Sequence, residues 1–363
     1  MITIKDIAKK ANVSEGTVDR VIHGRGGVSK NTETRIKKII KDHDFSVNPV
    51  ASALAKKNKY FIATLIPEHD DSDLFWKSPM LGISKGAKDV KNFGVQVKQF
   101  TFNQYDSNSY LKTFNFLLES KPTAVILTPN FLKETKQIVQ KLESINIPYL
   151  FLNVDIEGFK NIAFVGQDSY MAGYIAGKFM VLSSPQRADF LIIQTRHNII
   201  KNNSISNRID GFNDYLVKNK IDSKTQTLKI ENFDDSPETK EKINAYLKHH
   251  PEIKGIFVPS SRIYRVVDSI NKDYLKNLEL IGFDNTTQNI ACLKDDAVSF
   301  LISQKPFDQG YESVRIMTDY LTLKKSVSHS KIHLPIEILT KENVDYSERN
   351  DFAIENKKTN NVS

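Results

Sequence analysis

A single cysteine, Cys292, occurs in the 363 residues. That excludes an intrachain disulfide framework and a cysteine-built zinc site, and a lone thiol reads as a small core residue. Tryptophan is as scarce, with Trp76 alone. No apolar run approaches the roughly 18 residues that a membrane span needs, and MITIKDIAKK lacks the apolar stretch of a secretory signal. A cytoplasmic protein without membrane contact is the expectation. Catalytic signatures are missing too: there is no G-x-x-x-x-G-K-[ST], no G-x-S-x-G and no H-E-x-x-H. G-R-G-G at 24–27 follows no strand, and His249 and His250 suit a helix C-terminus better than a metal pair. No catalytic residue, metal or cofactor is therefore expected.

What is present is charge in one place. Residues 1–59 hold thirteen Lys or Arg against six acids, while the other 304 hold 38 basic and 37 acidic groups. The formal net charge of +8 thus resides almost wholly in a short head on a neutral body. A basic head points to a polyanion partner.

Three short helices are predicted in the head. Thr3 with Asp6 starts one over Ile4 to Lys10, with Ile4, Ile7, Ala8 and Ala11 on one face. Asn12 turns the chain, and Ser14 caps a second helix carrying Thr17, Val18, Val21 and Ile22 at helical spacing. Gly24, Gly26 and Gly27 interrupt it. Ser29 caps a third helix, Lys30 to Asp42, packed through Ile36, Ile39 and Ile40. Eight-residue helices are marginal alone, so these must brace one another, which is the helix-turn-helix arrangement. The free N–H groups at the start of the second helix then suit a DNA phosphate.

The run D-I-A-x-x-A-x-V-S-x-x-T-V-x-R-V at 6–21 resembles the DNA-binding head of LacI/GalR-family transcription factors. The resemblance implies that Glu15 and Gly16 sit where bases are read, and that Thr17 and Arg20 contact backbone and bases. Thr3, Ser14 and Ser29 cap helices whose ends approach DNA. Two positions depart from the family. Gly16 offers no side chain, and Glu15 either accepts from a cytosine amino group or faces solvent. Asp19 stands where the family often has Ser; it orients Arg20 or is simply a polar surface residue. NPVASALAKKNK, from Asn48, resembles the family's hinge helix, with Asn48, Ala51 and Leu54 at motif positions. There the paired leucines of a dimer wedge the minor groove open. A flexible linker is the alternative, and a helix that forms only on DNA reconciles both.

From residue 59, apolar runs alternate with helical patterns. Strands are expected at 61–67, 95–100, 124–129, 149–154, 162–166, 190–195, 225–230, 255–259, 278–283 and 298–303. Ten strands in βαβ alternation imply parallel doubly wound sheets in two lobes with a cleft between them. FVGQDSYMAGYIAGKFM (164–180), R-x-x-G-F (208–212), IGFDNTTQNI (281–290) and ISQKPFDQGYESV (302–314) resemble the type 1 periplasmic binding protein fold. In that fold the chain crosses between lobes three times, expected here near 162–165, 301–305 and 327–331.

A hydroxyl-rich ligand needs planar faces for stacking and polar groups at strand C-terminal ends. Phe75 and Trp76 follow the first strand, where they stack on ligand or anchor the next helix. Thr128 ends the third strand. Asn153 and Asp155 end the fourth, Arg208 opens R-x-x-G-F, Asp284 ends GFD, and Gln304 lies at the second crossing. The resemblance places these at polar ligand positions, although the carboxylates could instead cap helices. Arg208 and Asp284 are expected to face each other across the lobes. Where the fold's sugar binders carry Asn-Asp, this chain has Ser260 and Ser261, then Arg262. The rim is thus altered, and an anionic sugar, a polyol or another polar metabolite is as admissible as an aldopentose.

Together these imply an all-α head at 1–47, a hinge at 48–58, an α/β two-lobed body at 59–340 and a polar tail at 341–363. The function implied is a ligand-responsive, sequence-specific transcription regulator, with repression the expected output. It would act as a homodimer, or a tetramer, on a near-palindromic double-stranded DNA operator, under a small, sugar-like effector. The rivals are a transport-type binding protein with a degenerate head, and an enzyme fused to a DNA-binding head.

Overall fold

The computed structural model describes residues 2–22, 24–43, 45, 60–69, 74–195, 204–230, 237–325, 327 and 330–346. The chain divides into two compact units near residue 59.

The head is three helices, α1 (Ile4–Ala11), α2 (Glu15–Ile22) and α3 (Lys30–Asp42). Each begins at a side-chain cap. Thr3 Oγ1 accepts from Asp6 N at 3.2 Å while Asp6 Oδ2 accepts from Thr3 N at 3.0 Å, a reciprocal box. Asn12 ends α1 in the left-handed region at φ 50°. Ile7, Ala8, Ala11, Val18, Val21 and Ile36 form a small buried core, flanked by Ile39, Ile40 and Phe45. The core draws on all three helices, so none needs stability of its own.

The body holds two six-stranded sheets. The first, in the N-lobe, runs β11-β5-β4-β3-β1-β2. Its strands are β1 (Tyr60–Pro67), β2 (Val95–Phe102), β3 (Ala124–Leu127), β4 (Tyr149–Leu152), β5 (Phe164–Gly166) and β11 (Lys331–His333). The second, in the C-lobe, runs β12-β10-β9-β8-β6-β7. It comprises β6 (Asp189–Gln194), β7 (Thr225–Lys229), β8 (Ile253–Phe257), β9 (Glu279–Phe283), β10 (Phe300–Ser303) and β12 (Glu337–Leu339). Helices cover both faces, so central strands such as β1 are apolar throughout, whereas the edge strand β2 alternates. All pairings are parallel except β10 with β12.

The helices are α4 (Lys77–Val90), α5 (Ser107–Glu119), α6 (Leu132–Ser144), α7 (Ser169–Ser183), α8 (Ser204–Lys218), α9 (Pro237–His249), α10 (Ile263–Ser269), α11 (Lys272–Leu275), α12 (Thr287–Lys294) and α13 (Pro306–Leu323). Two of them change lobes. α7 follows β5 of the N-lobe yet packs on α8 in the C-lobe, and α13 follows β10 of the C-lobe yet packs on α4 in the N-lobe. Both contacts are backbone-close. A Cβ on Gly173 would lie 1.9 Å from the Arg208 carbonyl oxygen and one on Gly211 2.0 Å from that of Tyr170. In the N-lobe the same holds for Gly82 against Phe307, at 2.0 Å, and Gly310 against Pro79, at 2.2 Å.

All ten expected strands are present, and β11 and β12 are two more, each only three residues long. Two crossing positions need correction. β5 remains paired in the N-lobe through Gly166, so the first crossing is at 167–168 rather than 162–165. β11 also belongs to the N-lobe sheet, so the third crossing follows it at 334–336 rather than 327–331. The second falls where expected, at 304–305. The C-lobe core also takes in Val344, fully buried, so its packing continues past residue 340.

Candidate functional site

The first candidate surface is the start of α2. Ser14 Oγ accepts from Thr17 N at 3.2 Å and lies 2.9 Å from Thr17 Oγ1, which leaves Thr17 half-buried. Glu15, Gly16 and Arg20 are exposed. A Cβ on Gly16 would meet only Ser14 Oγ, at 3.8 Å, so open space lies beside the first turn. Asp19 pairs with Arg25 at 3.1 Å, a partner not expected from the sequence. Ser29 Oγ accepts from Thr32 N at 3.3 Å and thus caps α3. Asn48, Ala51 and Leu54 lie outside the described residues.

The second candidate is the space between the lobes. Gln304, on the second crossing, is its pivot. Its Nε2 donates to both oxygens of Asp284, at 3.0 and 2.9 Å, and its Oε1 accepts from Asn153 Nδ2 at 3.4 Å. Asn153 also donates to Gln309 Oε1 at 3.0 Å. A chain of amides and one carboxylate therefore runs from the end of β4 to the end of β9. Asn153 and Asp284 occupy equivalent places in their lobes, one residue past the strand, and both adopt positive φ, 67° and 70°. Asn and Asp tolerate that conformation better than other side-chain-bearing residues. The crossings are themselves joined, since Gln167 Nε2 donates to Ser303 O at 3.0 Å and Leu334 N to Gly166 O at 2.8 Å.

Arg208 lies in the second turn of α8 and is 3% exposed. Its Nη1 donates to Pro259 O at 2.9 Å, and the guanidinium lies 3.8 Å over the Phe283 ring. Burial pushes its pKa down to about 10, against the opposing influence of Asp284. The expectation that Arg208 and Asp284 face each other across the lobes is corrected here. α8 and β9 both belong to the C-lobe, because α8 follows β6 directly in that lobe's βαβ order.

The remaining predicted positions fall as follows. Phe75 and Trp76 are buried after β1, edge to face at 5.1 Å. Thr128 is buried past β3 with no partner on its hydroxyl. Ser260 bonds Thr195 through their hydroxyls at 3.0 Å, past β8 and β6. Asp155 is held by Lys331 of β11 at 2.9 Å.

Sequence reasoning missed three cleft groups. Arg262, also buried, donates from Nη2 to the Tyr105 hydroxyl, which joins C-lobe to N-lobe. Gln309 joins the Asn153 network. Tyr105 lies past the end of β2, where the strand-end rule could have found it; Gln309 lies inside the quoted 302–314 segment. Among the described residues no cluster of His, Cys, Asp and Glu could hold a metal, and no helix is long and apolar enough to cross a membrane.

Residues 3–48 match the family described as bacterial regulatory proteins, lacI family, and residues 62–325 match the periplasmic binding protein domain. The chain is 25% identical over 351 residues to the ribose operon repressor of Lactococcus lactis subsp. lactis (strain IL1403), covering 95% of this chain and 98% of that protein. It is 25% identical over 303 residues to the HTH-type transcriptional regulator MalR of Streptococcus pneumoniae serotype 4, covering 81% and 87%. Among solved structures, a putative LacI transcriptional regulator from Bacteroides fragilis superposes with a TM-score of 0.71 at 28% identity, over 80% of this chain and 99% of that one.

Proposed function

The chain belongs to the lacI family of bacterial regulatory proteins, with a periplasmic binding protein domain as its body, and from that premise we propose that it is a repressor whose hold on a DNA operator is set by a sugar or sugar derivative bound between the lobes. The observation that carries the reading is the polar chain Asn153–Gln304–Asp284, which joins two lobes and a crossing segment in one network. A ligand that inserts into it differs in its contacts between the open and closed body, and only such a difference can bias a conformational equilibrium. The named relatives, a ribose operon repressor and MalR, support a sugar-like effector.

The protein acts as a homodimer on a near-palindromic site, because one head reaches too few bases for useful specificity. α2 enters the major groove with Glu15, Gly16, Thr17 and Arg20 at its leading end. The segment around Ala51 and Leu54 contacts the minor groove between the half-sites. Effector binding changes whether that segment can settle there.

The test is a gel shift of the full chain on a duplex selected from a randomised pool, with and without sugars. Log affinity should fall with log salt by about 0.9 per phosphate neutralised. Leu54→Ala should weaken the selected site and leave random duplex nearly unaffected. Equal losses on both, or operator affinity indifferent to every sugar offered, would overturn the reading.

A further inference from the structure

The Arg208 guanidinium uses one edge and leaves the other. Nη1 donates to Pro259 O, and the flat face lies on Phe283. Nε and Nη2 are buried with no hydrogen-bond partner. These two form the side-on edge of the fork, with parallel N–H groups spaced for two oxygens of one carboxylate or phosphate. Unsatisfied buried donors are costly, and a buried charge more so. The carboxylate beside Arg208, Asp284, has both oxygens engaged by Gln304. Asp155, the other acid expected at the rim, is held by Lys331. The lowered pKa of Arg208 agrees: burial outweighs the help that Asp284 supplies.

A second feature points the same way. Ser204, the first residue of α8, reaches the Asn153 carbonyl oxygen of the N-lobe with its Oγ at 3.5 Å. The N-terminus of this fifteen-residue helix therefore faces the opposite lobe, with its positive end on the cleft and Arg208 one turn in. The N-lobe answers with neutral groups, the Asn153 amide and the Thr128 hydroxyl. Two hydroxyls of a neutral sugar could fill the vacant edge but would leave the charge uncompensated. An oxyanion does both.

We propose that the effector is an anionic sugar, and that Nε and Nη2 of Arg208 receive its carboxylate or phosphate side-on. The proposal rests on the cleft being the effector site. The test is isothermal titration calorimetry on the full chain with D-ribose, D-ribonate and D-ribose 5-phosphate, and with D-glucose, D-gluconate and D-glucose 6-phosphate. Each titration is paired with a gel shift on the selected operator. In at least one series an anionic member should bind tenfold or more tightly than its neutral parent and change operator affinity. The two anionic arms separate carboxylate from phosphate. Arg208→Lys keeps the charge but removes the two-donor edge; it should weaken the anionic ligand by roughly tenfold to a hundredfold. The wild-type comparison decides the matter even if that variant does not fold. A neutral sugar that binds as tightly as its anionic partners and shifts the operator overturns the proposal and leaves the regulator intact. If none of the six binds while the operator is still held, the proposal and the sugar reading of the cleft both fall.

Discussion

The two lobes are built alike and equipped differently. Each has the same strand order around its first strand, an Asn or Asp at positive φ past its fourth strand, and a helix borrowed from the other lobe through paired glycines. The chemistry is unequal. The C-lobe supplies Arg208 and Asp284, while the N-lobe supplies the Asn153 amide, the Thr128 hydroxyl and the Phe75–Trp76 pair. Symmetry therefore serves the movement of the lobes, and asymmetry serves discrimination of the ligand.

The strongest way to break this comparison is at the borrowed helices. Gly173→Ala and Gly82→Ala each drive a Cβ to about 2 Å from a backbone oxygen that cannot yield alone. Overpacking of this severity should cost about 3 kcal/mol or more in the affected lobe, read by chemical denaturation. Gly173 abuts the Arg208 carbonyl, so its variant should also lose effector binding beyond what the loss of stability explains. Equal effector losses in both variants would erase the division of labour. Gly86→Ala is the milder control, because its neighbour at 3.0 Å is the Val314 side chain, which can shift.

The strand ends come next. Asp284→Ala removes the acceptor of two Gln304 hydrogen bonds and the carboxylate that helps keep Arg208 charged. A loss of about 3 kcal/mol is expected. Asn153→Ala forfeits one amide bond and places a less tolerant residue at φ 67°, which should cost about 1–2 kcal/mol. Thermal unfolding of the two variants should preserve that order; the reverse would mean that the C-lobe charge is not the costlier element.

The sheet edges should respond least. Lys305 reaches Glu337 of β12 at 2.6 Å, and Lys331 of β11 reaches Asp155 and Glu157, both at 2.9 Å. Lys305→Ala should cost under about 1 kcal/mol, and less in high salt. The Lys331 ammonium holds the Glu157 carboxyl below its usual value. Its contribution is therefore complete above the ordinary carboxylate range and is lost as pH falls through the lowered value. Hydrogen exchange at β11 should accelerate on acidification in the wild type and change less in Lys331→Ala.

Much of this was legible in the residues. The caps at Thr3, Ser14 and Ser29 set the helix starts of the head, since each is a local hydrogen bond within three residues. The ten long strands announced themselves because both faces of a parallel sheet are covered and the central strands are apolar without interruption. β11 and β12 were invisible, since three residues carry no period. Asp19 was expected beside Arg20, but the turn at 24–27 returns Arg25 to it.

By itself, then, the sequence determined the elements, the basic head and the strand ends where polar groups collect, because periodicity, capping and charge act over a few residues. Which lobe owns Arg208, where the chain crosses, and that Tyr105 meets Arg262 were decided only by the tertiary structure. The Asn153–Gln309 bond spans 156 residues of chain. No local preference encodes such a contact; it exists because the glycine-paired helices seat each lobe on the other's chain and bring the two strand ends together.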